Sequence, residues 1–173
     1  IGKFELGDNT EVVSVEPYGS GHINDTFRLE VKEDGQEKLY ILQRMNKDIF
    51  KNQKELMENI LQVTSFLTDK IKAQGGDPNR ETLQVIPTKE GKSYLIEANG
   101  DGWRVYPFIT DSLSFDKADT PEAMKKSGYA FGNFQYLLSD FPAEKLHETI
   151  PDFHNTVDRY AKFEQAVQED VMG

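Results

Sequence analysis

The 173-residue chain has no cysteine. That excludes disulfides, thiolate metal sites and a cysteine nucleophile, and it fits a reducing compartment. No apolar run approaches the roughly 20 residues of a membrane span, and the first residues lack the basic and apolar regions of a secretory signal. The expectation is a cytoplasmic protein with no membrane partner. Positive charge is also scarce: 20 Lys and Arg stand against 30 Asp and Glu, a formal charge of −10. Without a local basic patch such a chain repels nucleic acid, and the acidity reads as solubility. Against these absences, 37% of the residues are hydrophobic. That is enough for one domain, or one large lobe, with a buried core, and it argues against disorder.

Period-two alternation marks residues 11–18 and 25–32 as strands, and Glu33-Asp34-Gly35 turns the chain into a third at 37–45. From Ile49 to about Ile71 the spacing changes. Leu56, Ile60, Val63 and Leu67 recur at intervals of four and three, an amphipathic helix that Gly75-Gly76-Asp77-Pro78 ends. Strands are expected again at 82–87, 93–98 and 103–109, the last an edge strand because Pro107 lacks a ladder N–H. Asp119-Thr120-Pro121 then opens a helix to about Ser139, and Phe153, Val157, Tyr160, Phe163 and Val167 space a final amphipathic stretch after Pro151. Core packing accounts for most aromatics of this part, including Phe131, Phe134 and Tyr136. The composition shifts from strand-rich to helix-rich near residue 110, the best boundary.

Between the first two strands, residues 17–27 place Gly19, Ser20 and Gly21 at a tight turn. Glycines there can take positive φ and carry no Cβ, so their N–H groups and the Ser20 hydroxyl can approach an anion. A glycine pair alone is a weak signal, because in a hairpin it more often serves only as a turn.

The order of elements raises the phosphate reading. A glycine turn, a cation-bearing third strand, an amphipathic helix, and strands leading to a connector follow the order of a kinase small lobe. The words of the chain add to it. Gly-Ser-Gly-His-Ile-Asn-Asp-Thr-Phe (19–27), Tyr-Ile-Leu-Gln-Arg-Met-Asn (40–46), Ile-Phe-Lys-Asn (49–52), Glu-Leu-Met-Glu-Asn-Ile (55–60), Trp-Arg-Val-Tyr-Pro-Phe-Ile (103–109), Phe-Gly-Asn-Phe-Gln (131–135) and Leu-His-Glu-Thr-Ile-Pro-Asp-Phe-His-Asn-Thr (146–156) resemble the aminoglycoside phosphotransferase superfamily, closest to its N-acetylhexosamine 1-kinases. The resemblance implies an α+β fold. A protein-kinase-like N-lobe of about five antiparallel strands and one packing helix spans 1–109, and 110–173 carries the connector and first helices of an incomplete C-lobe. It implies ATP and Mg2+ as cofactors of the complete protein, and transfer of the γ-phosphoryl to a sugar such as an N-acetylhexosamine at the anomeric hydroxyl. Aminoglycoside, choline and homoserine are alternative acceptors. None of His22, His147 and His154 begins a His-x-Asp-x-x-x-x-Asn loop. The expectation is therefore an N-terminal portion that binds nucleotide without transferring phosphate, or a binding or regulatory module, with a homodimer through exposed apolar surface as one assembly.

By the same resemblance Gly19, Ser20 and Gly21 cover the ATP phosphates, and Asn24 braces the loop or reaches a phosphate, unless it only makes an Asx-turn. Arg44 is the strand-three cation, because a guanidinium forks to phosphate oxygens; a one-residue change of register would put Gln43 inside instead. Its helix partner is Glu58, with Glu55 the alternative. Tyr106, Pro107, Phe108 and Ile109 form the connector that offers backbone groups to the adenine edge. His154 is the candidate sugar contact, unless it serves only the local structure of a helix start; no residue is assigned to catalysis or to the metal, and His22 either adjusts nucleotide affinity or faces solvent.

Overall fold

The computed structural model describes residues 1–113, 115, 117–170 and 173. Strands β1 (Thr10–Pro17), β2 (Asp25–Glu33) and β3 (Gln36–Met45) form an antiparallel meander. Asp34 and Gly35 both take positive φ, 48° and 83°, which closes the β2/β3 hairpin in two residues. Helix α1 (Gln53–Ala73) follows, then the short α2 (Pro78–Glu81), β4 (Leu95–Ile96) and β5 (Gly102–Pro107). The five strands make one open antiparallel sheet in the order β1-β2-β3-β5-β4. Helices α3 (Pro121–Leu137) and α4 (Thr156–Glu169) complete an α+β architecture, with one 3-10 turn at Ala143–Lys145 between them.

Alternation gives the sheet two faces. One carries Leu29, Val31, Tyr40, Leu42 and Val105, and the N-terminal Phe4 and Leu6 close over it as the main core. The other carries Gln43, Met45, Gly102 and Arg104, and α1 lies against it through Gln53 and Met57. A Cβ on Gly102 would meet the Gln53 side chain and Met45 Cε, so glycine there lets the helix approach. The buried stripe of α1 is Gln53, Met57, Leu67 and Ile71; Leu56 and Ile60 lie at its margin, half-buried. The helix begins at Gln53 rather than Ile49 because the Asn52 side chain accepts the Glu55 N–H.

Three strand expectations change. Residues 82–87 form no strand and touch the sheet at one bridge, Ile86 to Val105. The Gln84 amide bonds instead to Thr68 Oγ1 and to the Pro78 carbonyl, so this side chain is held by the helices, while the Ile86 N–H keeps one bond to Val105. The expected strand 93–98 shrinks to Leu95–Ile96. β5 is interior, between β3 and β4. Pro107 is tolerated because the ladder bond falls on Phe108, whose N–H reaches the Leu39 carbonyl at 3.0 Å. That leaves the proline nitrogen pointing away from β3, where the two-residue β4 does not reach.

The helical part departs further. The C-terminal half of α1 packs with Leu137 and Leu138, with Phe66 edge-on to Phe141 and Lys70 paired with Asp140. Beyond that seam, Phe131, Phe134, Tyr136, Phe153, Tyr160 and Phe163 are exposed rather than core. α4 begins at Thr156, capped by Asn155, and buries none of its residues. No helix among the described residues is long and apolar enough to cross a membrane.

Candidate functional site

The glycine turn is exposed throughout Tyr18–Ile23. The Tyr18 N–H bonds the Thr26 carbonyl at 2.9 Å and closes its base. Gly19 takes φ +82°, which requires glycine or a residue tolerant of left-handed backbone, whereas Gly21 does not. A Cβ added at either position meets nothing within 4 Å. At Gly21, therefore, neither conformation nor packing inside the protein calls for glycine. Asn24 braces the turn: its Oδ1 accepts the Asn46 N–H at 2.9 Å and pins the start of β2 to the end of β3.

Arg44 lies on the face away from α1. Its Nε donates to Asp25 Oδ2 at 2.7 Å and its Nη1 to Asp101 Oδ2 at 3.3 Å, while Lys47 meets the other Asp101 oxygen at 2.8 Å. The Asp25 hydrogen bond holds the Arg44 guanidinium above its ordinary pKa, and the Lys47 hydrogen bond draws the Asp101 carboxyl below its own. His22 joins these groups around a polar cavity of about 350 Å³. Two carboxylates thus already answer the charge of Arg44.

The expected Arg44–Glu58 pair is not formed, since α1 packs against the opposite face. Glu58 Oε2 instead meets His147 Nε2 at 2.9 Å, and Lys54 lies 3.6 Å from its other oxygen. Beside it, the Asn59 amide makes two hydrogen bonds to the His147 backbone, so this turn of α1 anchors the segment before α4. Glu55 is half-buried, and its N–H is taken by the Asn52 cap.

The strand-three residue that faces α1 is Gln43, the alternative register. Its Nε2 donates to Thr26 Oγ1 at 2.8 Å, and its Oε1 accepts from Arg104 Nε and Nη2 at 3.0 and 2.7 Å. Arg104 Nη1 reaches Met57 Sδ at 3.6 Å, and the guanidinium lies 5.2 Å from the centroid of the Tyr106 ring. A polar row therefore crosses the sheet from the foot of the glycine turn to α1: Thr26, Gln43, Arg104. Burial pulls the Arg104 pKa below its ordinary value and pushes the Tyr106 phenol up to about 12. Sequence reasoning missed Arg104. The available signal was its parity with Tyr106 and Gly102 in a strand next to β3.

At the connector, Tyr18 packs edge-on to Phe108 with ring centroids 5.4 Å apart, which joins the glycine turn to the segment after β5. A cavity of about 610 Å³ opens here, lined by Arg28, Glu30, Leu39, Tyr40, Pro107 and Phe108 among others. Such a volume suits a small ligand. The Phe108 N–H is committed to Leu39. Among the described residues, the Ile109 N–H has no hydrogen-bond partner, and the Pro107 carbonyl points away from β3.

His154 stands apart from these groups, exposed and edge-on to Phe153, whose ring Arg159 also covers. Among the described residues, no group of three or more His, Cys, Asp or Glu side chains is gathered as a metal site. Compared with known protein families, the sequence matches no family model.

Proposed function

We propose that these residues bind a purine nucleotide such as ATP, as the nucleotide-holding part of a small-molecule phosphotransferase. The observation that carries the reading is the layout. A glycine turn, the connector cavity, and the row Thr26, Gln43, Arg104 are joined by one sheet in the order β1-β2-β3-β5-β4, with α1 against the face that bears the row. This arrangement supports a kinase-like N-lobe. The adenine edge would pair with the Pro107 carbonyl and the Ile109 N–H, while Leu39 and Phe108 contribute apolar contact. The phosphates would lie under Gly19, Ser20 and Gly21, where a second glycine serves approach rather than fold. The nucleotide supplies the transferable γ-phosphoryl; the residues here orient it.

The acceptor proposed is a sugar, an N-acetylhexosamine phosphorylated at its anomeric hydroxyl, and this rests on the sequence resemblance alone. His154 is the sugar contact in that reading. Within the chain there is no His-x-Asp-x-x-x-x-Asn sequence, so binding without transfer is the activity proposed for these residues themselves.

Calorimetric titration with ATP, with adenosine as a control, tests the reading. Replacing Gly19 and Gly21 together by Ala is expected to weaken ATP and spare adenosine. A folded sample that binds neither ligand would remove the nucleotide reading, and unchanged ATP affinity in the double variant would remove the phosphate role of the turn.

A further inference from the structure

Among the arginines of the sheet, Arg104 alone combines deep burial with the lack of a carboxylate. Its relative exposure is 8%, against side-chain values of 38% for Arg28, paired with Glu16, and 44% for Arg44, paired with Asp25 and Asp101. Among the described residues, no acid lies within ion-pair distance of its guanidinium. Two of its nitrogens share one neutral amide oxygen and a third meets a thioether, which is a weak acceptor. A buried cation without a counter-charge is costly and is ordinarily paired.

The next residue on the same face repeats the pattern. Tyr106 is 6% exposed, and its hydroxyl is buried with no hydrogen-bond partner. Arg104 and Tyr106 alternate along β5, so a guanidinium with unused N–H groups and an orphan hydroxyl share one side of the sheet. Gln43 is half-buried, and through Thr26 its amide leads from this pair to the foot of the glycine turn.

We propose that Arg104, with the Tyr106 hydroxyl, is the anion site of this sheet and takes a phosphate group of the bound nucleotide, a role that rests on the nucleotide reading above. On the α1 face, strand three offers the neutral Gln43, and the charge expected from that strand comes from its neighbour. A phosphate oxygen pair matches the guanidinium fork and supplies the counter-charge that the protein does not.

The decisive variant is Gln43→Glu, which gives Arg104 a carboxylate in place of the amide oxygen; the Thr26 hydroxyl can then donate where it accepted. The expected result is a higher melting temperature together with ATP and tripolyphosphate binding weakened about tenfold or more. Adenosine binding should be unchanged. Arg104→Lys, which keeps charge and loses the fork, should fall between the two, and Arg44→Gln on the opposite face should leave phosphate affinity as it is. If Gln43→Glu stabilises the fold but ATP and tripolyphosphate bind as before, Arg104 is structural and the nucleotide reading survives. If tripolyphosphate binds and is lost in Gln43→Glu while neither ATP nor adenosine shows binding through a base, the anion site stands and the nucleotide reading falls. A folded protein that binds neither ATP nor tripolyphosphate overturns both.

Discussion

The sheet half and the helical half treat similar apolar patterns in opposite ways. In the first, Leu29, Val31 and Val105 are completely buried beneath Phe4 and Leu6. In the second, Val157, Tyr160, Phe163 and Val167 recur at helical spacing along α4, and every one is exposed. Periodicity sets which side chains share a face. Whether that face is covered is decided by what else the chain brings to it, and among the described residues α1 meets the helical part along the Leu67, Ile71, Leu137 seam, at Asp140 and Phe141, and at His147.

The sharpest way to break this contrast is to truncate one residue in each half. Leu29→Ala should cost about 2–5 kcal/mol by urea unfolding, the range for a buried leucine whose cavity cannot collapse. A loss below about 1 kcal/mol would mean that the core under Phe4 is loosely packed.

Gly102→Ala comes next. The added methyl would meet Gln53 and Met45 where α1 approaches the sheet, and a loss of about 1–3 kcal/mol is expected in the same measurement. Unchanged stability would indicate that α1 can shift freely on its face.

Glu33 tests the sheet half by pH. It is 4% exposed and receives Lys38 Nζ at 2.6 Å and Tyr40 Oη at 2.8 Å. Burial pushes its carboxyl up, but those hydrogen bonds outweigh burial and hold it below the ordinary 4.5. A lowered folded-state value gives a contribution that is complete above pH 4.5 and shrinks as pH falls through the folded value. Glu33→Gln should therefore lower stability at pH 7 by about 1–2 kcal/mol and flatten the acid limb of the stability profile. An unchanged acid limb would assign the acid sensitivity to other carboxylates.

In the helical half the effects should be small or favourable. A Cβ at Gly128, inside α3, meets nothing within 4 Å, so Gly128→Ala should stabilise by about 0.5–1 kcal/mol. Phe163→Ala, at a ring 63% exposed, should stay within about 0.5 kcal/mol of the parent. A large loss there would show that α4 is covered in solution.

Much of the fold was legible. The Glu33-Asp34-Gly35 turn places β2 against β3, Thr120 caps α3 before Pro121, and the glycine turn lies between β1 and β2. Residues 82–87 read as a strand from their apolar content, whereas the Gln84 side chain is taken up by α1 and α2 and a single bridge, Ile86 to Val105, reaches the sheet. Pro107 was misread as an edge marker because sequence does not reveal which side of β5 its nitrogen faces. The candidate site was half legible. Asn24 braces the turn, one of its three readings, while the arginine on the face that α1 covers is Arg104 of β5, and Arg44 of β3 lies on the other face.

By itself the sequence determined that Gln43 and Arg44 point to opposite faces, as any two successive strand residues do. It also determined that Gly102, Arg104 and Tyr106 share a face in the last strand. Only the tertiary structure decided which face meets the helix. α1 settles where Gly102 has no side chain to exclude Gln53, and that places Met57 beside Arg104 and leaves Arg44 to Asp25 and Asp101. The reason is physical: parity is a local property of the backbone, whereas a face is chosen by the shape and charge of what packs on it.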